Sequence, residues 1–461
     1  MPLAAAYMVP HPPMIVPQVG RGSEKQISRT IRAYEAVAEE IAGIRPDTVI
    51  VTSPHAVMYA DWFHISPGKE AAGDFSRFGA PEVRFREQYD TELVRRICAL
   101  ARKAGFPAGT EGEKDRRLDH GTMVPLYFIE QKYTGFQLVR AGLSGLPLTE
   151  HYAFGRILLQ AVEETGRKAV LIASGDLSHK LQTYGPYGFA PEGPEYDKKI
   201  MDAAGRAAFG EMLAFDERFC EKAAECGHRS FIIMAGMLDG QKAEARVYSH
   251  EDVTGVGYGI CSFHPAGSSE ERRFLDRYRA EKEQRLRDRR AREDPYVRLA
   301  RETVEAYVRD KRTPDVPDWA PEEMKSSRAG VFVSIHKDGA LRGCIGTFLP
   351  VRENIAREII SNAVSASTRD PRFDAVRPEE LPWLEINVDV LSRPERIEST
   401  DELDVKKYGV IVTDGSRRGL LLPDLDGVDT VEEQVDIARR KAGIPDGVPL
   451  ELERFEVVRH V

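Results

Sequence analysis

The stretch Ala4-Ala-Ala-Tyr-Met-Val-Pro-His-Pro-Pro13 decides the fold of the first half of this chain. Six apolar residues in a row read as a strand buried on both faces. Pro10 ends its pairing, because proline has no N–H to give to a ladder. A histidine, His11, then stands directly beyond the strand. The same order recurs: Thr48-Val-Ile-Val-Thr52 runs into Ser53-Pro-His55, and Ala169-Val-Leu-Ile-Ala173 runs into Ser174-Gly-Asp-Leu-Ser-His179. Residues 136–141 form a fourth apolar run, while residues 24–44 and 89–104 carry apolar side chains at helical spacing. Strands alternating with helices predict an α/β sheet flanked by helices.

In open α/β sheets, ligands bind beyond the carboxyl ends of the strands. Three strands therefore deliver His11, His55 and His179 to one edge. A single histidine at a strand end is commonplace. Three at equivalent places, two of them beside prolines that stiffen the backbone, point to a metal or catalytic centre. The spacing is neither HExxH nor that of a zinc finger, so the pattern alone does not name the metal.

Length and charge set the frame. The chain has 461 residues, 42% hydrophobic and 30% charged, and a net charge of −9. That is two or three domains' worth of globular sequence. The acidic balance argues against nucleic-acid binding, and no apolar run approaches the ~20 residues of a membrane span. The first residues lack the basic start of a signal peptide. Cysteines at 98, 220, 226, 261 and 344 fit neither a disulfide framework nor a CxxC zinc site. A cytoplasmic location is the expectation.

Residues 268–294 are about two-thirds charged, with mixed signs and no apolar stripe. They mark the boundary between a first domain, 1–265, and a second, 295–461, with 266–294 as a charged helical linker. The second domain is expected to be smaller and α+β. It opens with a helix over 295–309, Pro at its first turn. Strands over 330–336 and 341–348 follow, joined by Lys337-Asp-Gly-Ala340, then a helix over 351–365 and a strand over 384–391.

Pro10-His-Pro-Pro13, Ser53-Pro-His55, Asp119-His-Gly-Thr122 and Ser174-Gly-Asp-Leu-Ser-His179 resemble, in that order, the signature of LigB-type (class III) extradiol dioxygenases and their Memo-like relatives. The resemblance implies a non-heme Fe(II) centre held by two histidines and a carboxylate, with open positions for a catecholate and dioxygen. It makes His11 and His55 metal ligands, His179 the catalytic acid/base and His120 a contact to substrate or dioxygen. Asp176 is expected to orient His179 or its loop. The third ligand falls in Ala223-Ala-Glu-Cys-Gly-His228, where Glu225 is favoured and Cys226, the position Memo-like proteins use, is the alternative.

Leu341-Arg-Gly-Cys-Ile-Gly-Thr-Phe348 and Asp370-Pro-Arg-Phe373 resemble AMMECR1-like proteins over residues 295–461. In a strand Arg342 and Cys344 share a face, so Arg342 is expected to favour the thiolate of Cys344, or the two to form a buried structural pair. With Arg369 and Arg372 they outline a basic pocket. The fusion resembles AmmeMemoRadiSam system proteins, which implies a radical SAM enzyme as partner. The leading expectation is an Fe(II) extradiol-type dioxygenase acting on a catechol or related aromatic. The alternatives are a metal- or ligand-binding adaptor and, with Zn(II), metal-assisted hydrolysis.

Overall fold

The strands Leu3–Val9, Thr48–Ser53, Gln137–Gly142 and Ala169–Ser174 form the parallel part of a six-stranded sheet, with Gln137–Gly142 at its edge. An antiparallel pair, Tyr258–Ser268 and Gln241–Glu251, completes it beside Leu3–Val9. The computed structural model describes residues 2–112, 117–425 and 427–461. The continuous apolar runs follow from burial on both faces. Ala6 and Met8 pack on one side with helices Thr91–Ala104, Leu148–Thr165 and His228–Met237. Tyr7 and Val9 pack on the other with Ser28–Ile44 and His120–Glu130. Parallel pairing sends the carboxyl ends of the four parallel strands to one side, and Val9 lies opposite Ser174 in register.

The hairpin Glu70–Phe75 and Ala80–Gln88 stands outside this sheet and was not foreseen. Buried and exposed residues alternate along its first strand, and at Gly73 a Cβ would come 2.8 Å from that of Leu118.

The chain divides into two compact units, Met1–Arg279 and Ala280–Val461. The charged stretch is a helix, Phe274–Arg290, and the division falls inside it. It was expected to lack any means of joining a core. Instead Leu275 is 1% exposed and Leu286 6%. Asp276 pairs with Arg156 at 2.7 Å in the first unit, and Lys282 with Asp338 in the second. Two leucines framed by ion pairs, Leu275 and Leu286, do what a stripe would do.

The second unit is built on a curled antiparallel sheet ordered Ala340–Thr347, Gly330–Lys337, Leu384–Leu391, Glu451–His460, Tyr408–Asp414 and Arg417–Leu421. Helices Pro295–Asp310 and Ile355–Thr368 pack against its first three strands. The first hairpin turns on Asp338 and Gly339, both at positive φ (55° and 78°), as a two-residue turn requires. Among the described residues, no helix is long and apolar enough to cross a membrane.

Candidate metal centre

His11 leaves its strand under firm control. Its N–H donates to Oδ1 of Asp176 at 2.7 Å, and the Tyr34 hydroxyl donates to the carbonyl of Pro10. Its Nδ1 lies 2.9 Å from Ser174 Oγ, which itself donates to the Gly121 carbonyl at 2.6 Å. A hydroxyl has one proton to give, so Ser174 must accept from His11. Nδ1 therefore carries the hydrogen and Nε2 presents its lone pair. That lone pair faces His55, the two Nε2 atoms being 3.0 Å apart, and Cys226 Sγ lies 3.6 Å from His11 Nε2. Metal–nitrogen and metal–sulfur bonds of about 2.0–2.3 Å give ligand–ligand edges of about this length. His11, His55 and Cys226 thus have the spacing to share one ion.

Cys226, rather than Glu225, faces the histidines. The helix Glu217–Ala223 ends on Ala224, whose φ of 53° turns the chain sharply. Glu225 then folds forward, and its carboxylate accepts the N–H of His228 at the start of the next helix. The neighbouring thiol is pressed inward because Gly227 and Gly175 pack backbone to backbone: a Cβ on Gly175 would meet Gly227 Cα at 2.0 Å. The Asp176 N–H points at Cys226 Sγ, 3.3 Å away. Burial raises the Glu225 carboxyl to about 7 and raises the Cys226 thiol well above its ordinary value. Among the described residues, the group able to hold an ion with His11 and His55 includes Cys226, the alternative third ligand, and not the favoured Glu225.

His120 is the first residue of the helix His120–Glu130, whose N-cap, Asp119, accepts from Thr122 N–H at 3.0 Å and from Ser53 Oγ at 2.6 Å. That anchors its ring 3.9 Å from His55, centre to centre, and 5.3 Å from Phe78. Burial, then the charges of neighbouring imidazoles, lowers His11 and His120 to about 3, so both are neutral. His179 comes within ligand range of Asp176 and Cys226, not of His11 and His55. Its ring stacks on Tyr187 at 4.9 Å, and its buried Nε2 has no hydrogen-bond partner among the described residues. Asp176 spends one oxygen on His11, and burial raises it to about 6. That bond ties Asp176 to the His11 backbone, while its carboxylate also lies within ligand range of His179.

Sequence reasoning passed over Ser174, Tyr34, Phe78 and Tyr187. Ser174 alone had a signal, as the first residue of the motif that ends in His179. A cavity of about 610 Å³ opens against the centre, lined by His55, Phe78, Phe85, His120, Arg84 and Arg140 among others. Its walls mix the rings of Phe78 and Phe85 with guanidinium groups and the carboxylates of Asp74 and Asp119.

Residues 5–261 match the family described as the catalytic LigB subunit of aromatic ring-opening dioxygenase. The chain belongs to the LigB family. Residues 297–460 match AMMECR1, so both families occur in one chain. A Clostridium acetobutylicum protein, CA_C1420, shares this arrangement in full: it is 41% identical over 100% of this chain and 99% of its own length. A Thermotoga maritima protein is 54% identical over 36% of this chain and 98% of its own length. Protein PH0010 of Pyrococcus horikoshii, of known crystal structure, is 32% identical with a TM-score of 0.33, covering 36% of this chain and 88% of its own. The LigB family suggests a divalent metal, and the centre offers the ligands for one.

In the AMMECR1 region the expected pocket is only partly assembled. Cys344 and Arg372 line a cavity of about 600 Å³, together with Phe332, Asp389, Leu420 and Lys441. Arg342 does not. Its guanidinium pairs with Glu380 at 3.0 Å and donates to the carbonyl of Asp374. The ladder shows why: Ile335 faces Gly343 and His336 faces Leu341, so Arg342 is the extra residue of a bulge. A bulge re-aims its side chain and breaks the shared-face rule. Arg369 is not among the lining residues. Burial, not a neighbouring cation, dominates Cys344 and raises its thiol above the ordinary value.

Proposed function

We propose that the LigB region is a non-heme Fe(II) oxygenase of the extradiol type, acting on a catechol or related aromatic in the cavity beside His55 and His120. His11, His55 and Cys226 would hold the iron, which supplies open positions for two substrate oxygens and dioxygen and makes those oxygens acidic. The observation that carries this reading is the pair of imidazole Nε2 atoms 3.0 Å apart, with the His11 tautomer fixed by Ser174, beside a cavity that Phe78 and Phe85 line.

The remaining groups have roles that follow from their surroundings. The neutral ring of His120, tilted against His55 and edge-on to Phe78, lines the cavity where the substrate ring would lie. His179 is kept neutral by burial, and its unpartnered Nε2 is free to take a proton from a substrate hydroxyl and return it. A radical SAM enzyme acting with this chain belongs to the same proposal and rests on the two-family fusion alone.

The thiolate in the third position favours a second reading, a metal-binding adaptor with little turnover, since sulfur ligands suit several metals besides iron. Anaerobic metal analysis with oxygen-uptake assays on catechols separates the two. Iron with catechol-dependent oxygen uptake supports the oxygenase. Full metal loading without uptake on any catechol rejects it.

A further inference from the structure

Cys226 belongs to two ligand groups at once. Its Sγ lies within 4.8 Å of ligand atoms of His11 and His55, and equally of Asp176 and His179. The second group has features of its own that call for a cation. Among the described residues, the buried His179 Nε2 has no hydrogen-bond partner, although buried polar atoms are nearly always paired. Asp176 gives Oδ1 to His11 N–H, which leaves Oδ2 for another bond. Its carboxyl and the Cys226 thiol are both buried, and among the described residues no lysine or arginine is one of the groups that act on either. Buried acids without a cationic partner are costly unless a metal or a proton neutralises them.

We propose that the centre takes a second divalent ion, on Asp176, His179 and Cys226, with the Cys226 sulfur bridging it to the ion on His11 and His55. A thiolate sulfur has lone pairs enough for two metals, and one imidazole, one carboxylate oxygen and one thiolate form a complete three-point set. The backbone favours the arrangement, because the Asp176 N–H donates toward Sγ and fixes its direction.

The consequence rests on the oxygenase reading given above. The lone pair that would accept a substrate proton on His179 is the one the second ion would occupy. The singly loaded centre is then the active form, and excess divalent metal suppresses it by filling the second position.

The test is an anaerobic titration of the metal-free full chain with Co(II), read by bound metal after desalting and by thiolate-to-cobalt absorption. Ions retained by the His55→Ala/His179→Ala double variant are subtracted as background, with circular dichroism confirming the fold. Two equivalents are expected for the native chain, one for His179→Ala and one for His55→Ala. His179→Gln, close in size, is expected to match His179→Ala. Saturation of the native chain at one equivalent, or two equivalents in His179→Ala, overturns the second position and leaves the oxygenase reading standing. No bound cobalt above background overturns both.

Discussion

The backbone N–H of His11 donates to Oδ1 of Asp176 at 2.7 Å, a bond between residues 165 apart in sequence. It ties the loop after one parallel strand to the loop after its neighbour, just past the registered pair Val9 and Ser174. The same carboxylate is buried and held near 6 by that burial. Asp176 therefore serves the centre at some expense to the metal-free fold.

Replacing Asp176 by Asn keeps an oxygen for the His11 N–H and removes the buried charge. The metal-free variant is expected to gain stability on the order of 1–2 kcal/mol at slightly alkaline pH. Its divalent-metal affinity is expected to fall by roughly 10-fold or more. Thermal melts with and without metal check both signs. A variant that melts lower than the native chain in both conditions would make Asp176 a purely structural residue.

The ligand assignment separates four single variants. His11→Ala, His55→Ala and Cys226→Ala are each expected to lose the ion at the first position, because each removes one of three ligands converging there. Glu225→Ala is expected to retain it, since that carboxylate is turned to His228 N–H. Metal analysis of desalted protein decides. Retention in Cys226→Ala together with loss in Glu225→Ala would restore the carboxylate as third ligand.

The strand-end histidines were legible because local rules place them: an apolar run buried on both faces, a terminating proline, then the imidazole. His11 and His55 follow that logic, His179 stands beyond its strand without the proline, and the sheet brings the three loops to one edge. The choice between Glu225 and Cys226 was not legible. It depends on a left-handed alanine at 224 and on backbone contact between Gly175 and Gly227, neither of which leaves a periodic trace. Arg342 failed for a related reason, since one bulged residue cancels strand alternation. The cavity beside His55 borrows walls from the unforeseen hairpin at 70–88.

Glu130, at the far end of the helix that begins with His120, supplies a pH test away from the metal ligands. Burial, and then the neighbouring Glu87, raises it from 4.5 to about 8. Between those values the unfolded chain releases this proton while the folded chain keeps it. Stability is therefore lost progressively as pH rises through that window. Glu130→Gln is expected to melt higher than the native chain near pH ~8.5 and to show no such gain near pH ~4. Equal melting curves at both pH values would mean that the two carboxyls do not share a proton.

The last prediction concerns Cys344 and its neighbours Arg372 and Arg342, of which only Arg342 was expected to favour its thiolate. The thiol accepts a hydrogen bond from Ser334 Oγ at 3.3 Å, and Arg372 donates to the Cys344 carbonyl at 3.1 Å. Burial outweighs both and raises the thiol, so little thiolate exists at neutral pH. Alkylation by iodoacetamide is expected to be at least roughly 10-fold slower than for a free thiol, and to accelerate as pH rises. Arg372→Ala should slow it further, because the nearby positive charge that favours thiolate is gone. Arg342→Ala should leave the rate unchanged in folded protein, because that guanidinium is spent on Glu380. Peptide mapping of the alkylated chain gives each rate. Fast labelling that depends on Arg342 would return the bulged arginine to the pocket and make Cys344 a reactive thiol.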